Sequence, residues 1–272
     1  MKTNKNLAMV IFALIVCLNS SKSQNYGAMS YFNFRHSTGL SCPESAALLN
    51  PAAMYLDSSS NLIFRTKPSR FGFSELSPMM ISGVWRADSI HSLGMNLNGL
   101  GGSLYSEISS ELRYSASLND MITLGASLEY SSLSIKDYGN QSLVFANVGT
   151  VLDLSDELKV GFILRNIFGN YSEQADKTAY QSVVFGAGYR INEELTAEGD
   201  MIIIINSVSA LSLALKYDYD EYLCFRAAYR TEPNIMELLV MYALISDAAL
   251  MIGSEYHELF GFSPEIVLKY IF

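Results

Sequence analysis

The sequence places a base and a nucleophile side by side in Arg35-His36-Ser37-Thr38-Gly39. Hydrolytic chemistry needs more than adjacency: a serine, a base in hydrogen-bond reach of it, and a third group that orients the base. His36 lies in a lead-in ahead of the regular part of the chain, and no third group can be read beside it. Of the other two histidines, His257 sits beside Glu255 and Glu258, where a solvated imidazole is the expectation, and His91 has no such neighbours. No spacing of His, Cys, Asp and Glu reads as a metal site, and no glycine loop reads as a phosphate cradle. Neither an enzyme nor a cofactor is expected.

The second chemistry-bearing set is ionic. Glu111, Arg113, Glu129, Lys159, Arg165, Arg190, Glu198, Asp200, Lys216, Arg226, Glu237, Glu255 and Lys269 all fall on the polar positions of segments that alternate polar and apolar. Residues Glu111, Arg113, Ser115 and Ser117 alternate with Leu112, Tyr114, Ala116 and Leu118. Thr123, Gly125, Ser127 and Glu129 alternate with Leu124, Ala126, Leu128 and Tyr130, and the same holds for 210–218 and 222–230. Side chains alternate across a strand, so period two repeated this often predicts strands with one apolar face.

These strands must position the charges. From about residue 60 onward about fourteen segments, most near ten residues long, are separated by connections of two kinds. One kind is short and polar: Ala87-Asp88-Ser89, Asn119-Asp120, Ser155-Asp156, Ile191-Asn192-Glu193, Asp218-Tyr219-Asp220 and Ser246-Asp247. The interleaved kind is expected to be longer, at residues 101–107, 136–141, 169–178 and 258–262. Strands of this length, even in number and joined by turns tight at one end, predict an all-β transmembrane up-and-down antiparallel barrel. Tyr130, Tyr217, Tyr229, Tyr256 and Tyr270 near strand ends suit an interfacial girdle. The aliphatic faces then meet lipid and the charges line the lumen, where they are expected to pair across the barrel and hold its interior. A charge-selective passage is the sharper alternative. Gly125, Gly149, Gly161, Gly186, Gly188 and Gly253, with Val184, Leu239 and Met251, are also expected on the inner face, the glycines narrowing or bending the wall.

The first residues carry Lys2 and Lys5, an apolar run from Leu7 to Leu18, then Ser20, Ser21 and Ser23. That is the pattern of a secretory signal, cleaved near Ser23; Val16 before Cys17 argues against lipidation. Cleavage would leave 15 Lys and Arg against 27 Asp and Glu, a net charge of −12 that disfavours nucleic acid as a partner. Cys42 and Cys224 would remain, enough for one disulfide in an exported protein. Residues 24–59 read as a separate periplasmic or plugging segment ahead of a barrel at 60–272. In it a short helical stretch at Ser45–Leu49 is broken at Asn50-Pro51. The chain finishes on Ile266, Leu268, Tyr270 and Phe272 along one face.

Asn50-Pro51-Ala52-Ala53, set shortly before the first strand, resembles the N-terminal motif of FadL-like barrels and of the related PorV/PorQ proteins of Bacteroidetes-type (type IX) secretion systems. The ending, Tyr229-Arg230-Thr231-Glu232-Pro233-Asn234 and then residues 252–272, resembles the last strands of PorV/PorQ-like proteins. Residues 164–170 and 185–200 are similar to their middle hairpins. The resemblance implies a Gram-negative outer-membrane protein. Its last strand, with Leu268, Tyr270 and Phe272, would be the insertion signal recognised by the barrel assembly machinery. Likeness to PorV/PorQ implies help in protein secretion or surface attachment, with secreted proteins or secretion components contacting 169–178 and 230–234. The alternative, from likeness to FadL, is a channel for hydrophobic small molecules, with Asn50, Pro51 and Ala52 in a movable plug.

Overall fold

The computed structural model describes residues 36–42, 48–56, 59–167, 181–205 and 208–272. The expected signal at 1–23, residues 45–47 of the expected helical stretch and the loop at 169–178 lie outside the described residues. The described chain forms fourteen antiparallel strands: β1 (Asn61–Thr66), β2 (Met79–Arg86), β3 (His91–Gly101), β4 (Tyr105–Asn119), β5 (Ile122–Ile135), β6 (Gly139–Asp153), β7 (Leu158–Arg165), β8 (Ser182–Arg190), β9 (Leu195–Ile204), β10 (Ala210–Asp218), β11 (Leu223–Arg230), β12 (Ile235–Ile245), β13 (Ala248–His257) and β14 (Gly261–Ile271). Each pairs with its sequence neighbours, and β14 pairs with β1 to close the barrel.

The closing register runs from Asn61 opposite Ile271 to Thr66 opposite Ile266, and the Phe272 amide donates to the Ser60 carbonyl at 2.9 Å. Closure leaves no strand edge, which backbone polar groups in hydrocarbon require. Truncation after Lys269 removes the β14 partners of Asn61 and Leu62 and is expected to prevent assembly. Loss of the heat-modifiable band of a folded barrel on cold electrophoresis checks this; a normal band would refute it.

The distribution of side chains is inverted relative to a water-soluble protein. Leu112, Leu128, Phe185, Leu215, Leu238 and Ile252 stand exposed on the outside, while Glu111, Arg113, Glu129, Glu198, Asp200 and Glu265 are buried within. An outer face of this extent is stable only against lipid. Tyr130, Tyr217, Tyr229, Tyr256 and Tyr270 all point outward, as a girdle does.

Four of the turns at the end holding Asn61 and Phe272 share one device. Asp88 accepts from the amides of Ile90 and His91 at 2.7 Å each, and Asp220 does the same for Tyr222 and Leu223. Asn119 and Asn192 serve Met121 and Ile122, and Glu194 and Leu195, in the same way. A short side-chain acceptor that captures the amides two and three residues on tightens the turn, which is why these positions are Asp and Asn. The amides of His91 and Ile90 hold the Asp88 carboxyl below its ordinary range.

At the opposite end three expectations need correction. Residues 101–107, 136–141 and 258–262 are partly strand, leaving loops of only 102–104, 136–138 and 258–260. Segments such as Ser131, Ser132 and Ser134 paired with Leu143, Ser142 and Asn140 are polar enough to read as loop. They stay in the ladder because backbone pairing does not require an apolar outer face once a strand projects past hydrocarbon. The long described connection is instead 67–78, which contains a short 310 turn at Ser74–Leu76.

Candidate functional site: a segment bound inside the barrel

Residues 36–42 and 48–56 lie against the inner wall, and the inward glycines of β5 to β8 make room for them. A Cβ at Gly125 would overlap the Ala52 amide nitrogen, and one at Gly149 would overlap the Asn50 side-chain oxygen. At Gly161 it would lie 2.6 Å from the Ser37 carbonyl, and at Gly188 2.6 Å from the Thr38 hydroxyl. At Gly186 it would overlap both the Asp200 carboxylate and the Ser37 hydroxyl. These glycines therefore form a seat for a second piece of chain. The expectation that they bend or narrow the wall is corrected for these five: what they admit is not visible in their own strands. Gly253 differs, since its Cβ would meet the backbone of Leu238 and Leu239.

Asn50 joins segment and wall. Its amide nitrogen donates to the carbonyls of Ser37 at 2.8 Å and Thr150 at 3.1 Å, while its oxygen accepts from the Ala52 amide at 3.1 Å. The last contact caps a 310 helix at Pro51–Leu56, where Pro51 at the first position needs no amide partner. Ala52 and Ala53 pack on Val151, and Met54 packs on Val84. Tyr55 donates to Asp153, which also pairs with Lys159.

Two carboxylates on β9 hold the upstream part. Asp200 accepts from His36 Nδ1 at 2.5 Å, from the Ser37 amide at 3.0 Å and from the Ser37 hydroxyl. Glu198 accepts from the amides of Leu40 and Ser41 at 2.9 Å each and from the hydroxyls of Thr38 and Ser41. The sequence leads to pairing of these acids across the barrel; instead they bind the segment. His36 is likewise no outlying lead-in residue but is buried in the lumen. Its Nδ1 and the Ser37 hydroxyl both engage Asp200, and its Nε2 has no hydrogen-bond partner among the described residues. In a hydrolytic triad the ring would bridge serine and acid, so this is a structural clasp.

Across the lumen lies a cluster of six ion-pairing side chains. Arg65 on β1 pairs with Glu265 on β14 and lies 3.5 Å from Glu237 on β12, which also pairs with Arg226 on β11. Lys67 pairs with Glu255 on β13 at 2.5 Å and lies 3.8 Å from Glu265. Here the expectation of pairing holds. Arg65, Lys67 and Glu265 were not singled out from the sequence, although Asn61, Ile63, Arg65 and Lys67 follow the same alternation.

A third group joins Glu111, Arg113 and Asn96: Asn96 donates to Glu111 at 2.9 Å and accepts from Arg113 at 2.7 Å. Glu129 is buried on β5, Lys216 pairs with Asp218 at 2.9 Å, and Arg165 and Lys269 are half-buried. Arg190 is exposed at the turn end of β8, outside every cluster. Val184 packs with Ile163, Ile202, Ile204 and Ala210, while Leu239 and Met251 pack with Ile63 and Val267. Cys42 and Cys224 are not joined to each other, so the possible disulfide is not formed. No group of His, Cys, Asp and Glu suited to a metal occurs among the described residues.

Lipid-facing outer surface, charged interior, closed fourteen-strand ladder and tight turns at one end define a transmembrane barrel of the outer-membrane type, with part of its own chain lodged in the lumen. No family model matches the chain, and no curated protein does. Solved structures do. The fold is similar to the toluene transporter TbuX of Ralstonia pickettii, at 11% identity and a TM-score of 0.67 over 91% of this chain and 98% of that one. It is also similar to the toluene transporter TodX of Pseudomonas putida, at 11% identity and a TM-score of 0.64 over 92% and 98%. A FadL homologue of Pseudomonas aeruginosa matches at 10% identity and a TM-score of 0.59 over 92% and 99%. At such identities the likeness is one of fold.

Proposed function

We propose that this barrel sits in the outer membrane of a Gram-negative bacterium and lets hydrophobic small molecules cross it, with residues 36–42 and 48–56 in the plug. The observation that carries this reading is an apolar strip, Ile63, Leu239, Met251 and Val267, that faces the lumen beside the lodged segment. Leu48 of the segment packs on Met80 next to it. A lumen kept shut by a bound segment, with an apolar lane along that segment, suits a gated route for poorly water-soluble solutes. Correspondence over nearly the whole length of two toluene transporters supports the same reading. It favours passage over help in protein secretion, the reading that places partner contacts at 169–178 and 230–234, of which 169–178 lies outside the described residues.

The test is toluene entry into cells with and without the gene, and into proteoliposomes carrying the purified barrel. Faster entry with the protein, lost when Leu239→Trp and Met251→Trp block the lane, is the expected result. Equal entry with and without the barrel would end the reading.

A further inference from the structure

Where the segment meets the wall of β1, β2, β11, β12, β13 and β14, a cavity of about 10 Å³ has two chemically different ends. Ile63, Met80, Leu239, Met251 and Val267 make an apolar floor, with Leu48 laid across it. Arg65, Arg226 and Glu237 make the other end, and the Cys42 thiol borders it. All three charged residues are more than nine-tenths buried. Arg226 engages Glu237 through Nη1, but its Nη2 makes no hydrogen bond among the described residues. Glu237 engages Arg226 through Oε2, and its Oε1 accepts no hydrogen bond, although Arg65 Nη2 lies 3.5 Å away. A buried donor and a buried acceptor thus stand at the mouth of an apolar pocket, each with unused bonding capacity.

We propose that this is the binding site for a small neutral amphiphile: a compound with an apolar body about one ring in size and a hydroxyl-type head. The proposal rests on the passage reading and deepens it. A hydroxyl can accept from Arg226 Nη2 and donate to Glu237 Oε1 together, satisfying both. A bare hydrocarbon leaves both unsatisfied, and a site built to hydrogen-bond a hydroxyl discriminates against an analogue without one. A charged head fares badly as well. Arg65, Lys67 and Arg226 already face Glu237, Glu255 and Glu265, so one further buried charge of either sign is uncompensated. The cavity as it stands has room for about one water molecule, so a ring enters only as Leu48 and Cys42 of the plug withdraw. Ligand and plug therefore compete for the same wall.

Three probes of similar shape read the head group: toluene, p-cresol and p-toluate. Each is titrated by calorimetry into the full-length barrel in nanodiscs, with empty nanodiscs subtracted. The expected result is p-cresol binding at least about 10-fold tighter than the other two, the discrimination of one hydrogen bond to a charged partner. Arg226→Met should bring p-cresol down to the affinity of toluene. Leu239→Trp, which fills the apolar floor and leaves the ion pairs in place, should weaken p-cresol at least about 10-fold and keeps the test open where Arg226→Met does not fold. Toluene equal to p-cresol, p-toluate tightest, or no binding by any of the three would overturn the proposal. Proteoliposome entry separates the two readings. Preferential p-cresol binding without entry defeats the passage and leaves the site standing; entry of all three without discrimination defeats the site and leaves the passage standing.

Discussion

Replacing Glu198 by Gln and Asp200 by Asn together is expected to unseat the plug and raise single-channel conductance in planar bilayers well above that of the parent. The two carboxylates accept seven hydrogen bonds from His36, Ser37, Thr38, Leu40 and Ser41. A carboxylate is acceptor only, and so is matched to a segment that presents only donors to it. An amide of the same shape keeps one acceptor oxygen and turns an NH2 group toward the donors it replaces, which inverts the interaction at that atom. Bonds to an ionised partner contribute about 1.5–3 kcal/mol each, so loss of even a few outweighs the apolar contacts of Leu48 and Ala52 that remain. The barrel wall should survive. The β9 backbone pairs with β8 and β10 through main-chain bonds that neither substitution touches. A folded variant with parental conductance would show that the plug is held by something other than this clasp. If the p-cresol site competes with the plug, the same variant should bind p-cresol more tightly, because less of the protein is in the occluded state.

The second large effect is steric. Gly149→Val is expected to expel the Asn50-Pro51-Ala52 corner from its seat, since the new Cβ would occupy the position of the Asn50 side-chain oxygen. Overpacking of this kind costs about 1–3 kcal/mol where neighbours can move. Here the neighbour is also the residue that caps the 310 helix at Pro51–Leu56, so the cap is lost with the seat. Valine itself suits a strand, so the β5–β6–β7 ladder should hold. The readout is limited proteolysis of the folded barrel: cleavage within residues 36–56 should appear in Gly149→Val and be absent from the parent. Gly99→Val is the control, because a Cβ there meets nothing within 4 Å. Equal protection of all three proteins would mean that the seat accommodates the methyl groups and that the glycine stripe does not select the plug.

Much of this molecule is legible in its sequence, and the reason is local. Whether a residue faces lipid or lumen depends only on its parity within a strand, so Glu111, Arg113, Glu129, Glu198, Asp200, Arg226, Glu237 and Glu255 could each be placed inside without knowing any partner. The tight turns were equally readable, because Asp88 or Asn192 captures amides two and three residues away. Closure followed from the impossibility of an open edge in hydrocarbon, given an even count of strands.

Which groups meet inside was beyond that kind of reading. Ser37 meets Asp200 across 163 residues and Lys67 meets Glu255 across 188, contacts fixed by closure of the whole ring and by the accumulated register of every pair between them. An inward carboxylate looks the same in sequence whether it pairs with an arginine, as Glu237 does, or clasps a foreign segment, as Glu198 does. An inward glycine looks the same whether the wall bends there or another backbone lies on it. Parity along a strand is a property of consecutive residues and is written into the chain. The partner of an inward side chain is a property of the enclosed space, and that space exists only once the barrel has closed around residues 36–42 and 48–56.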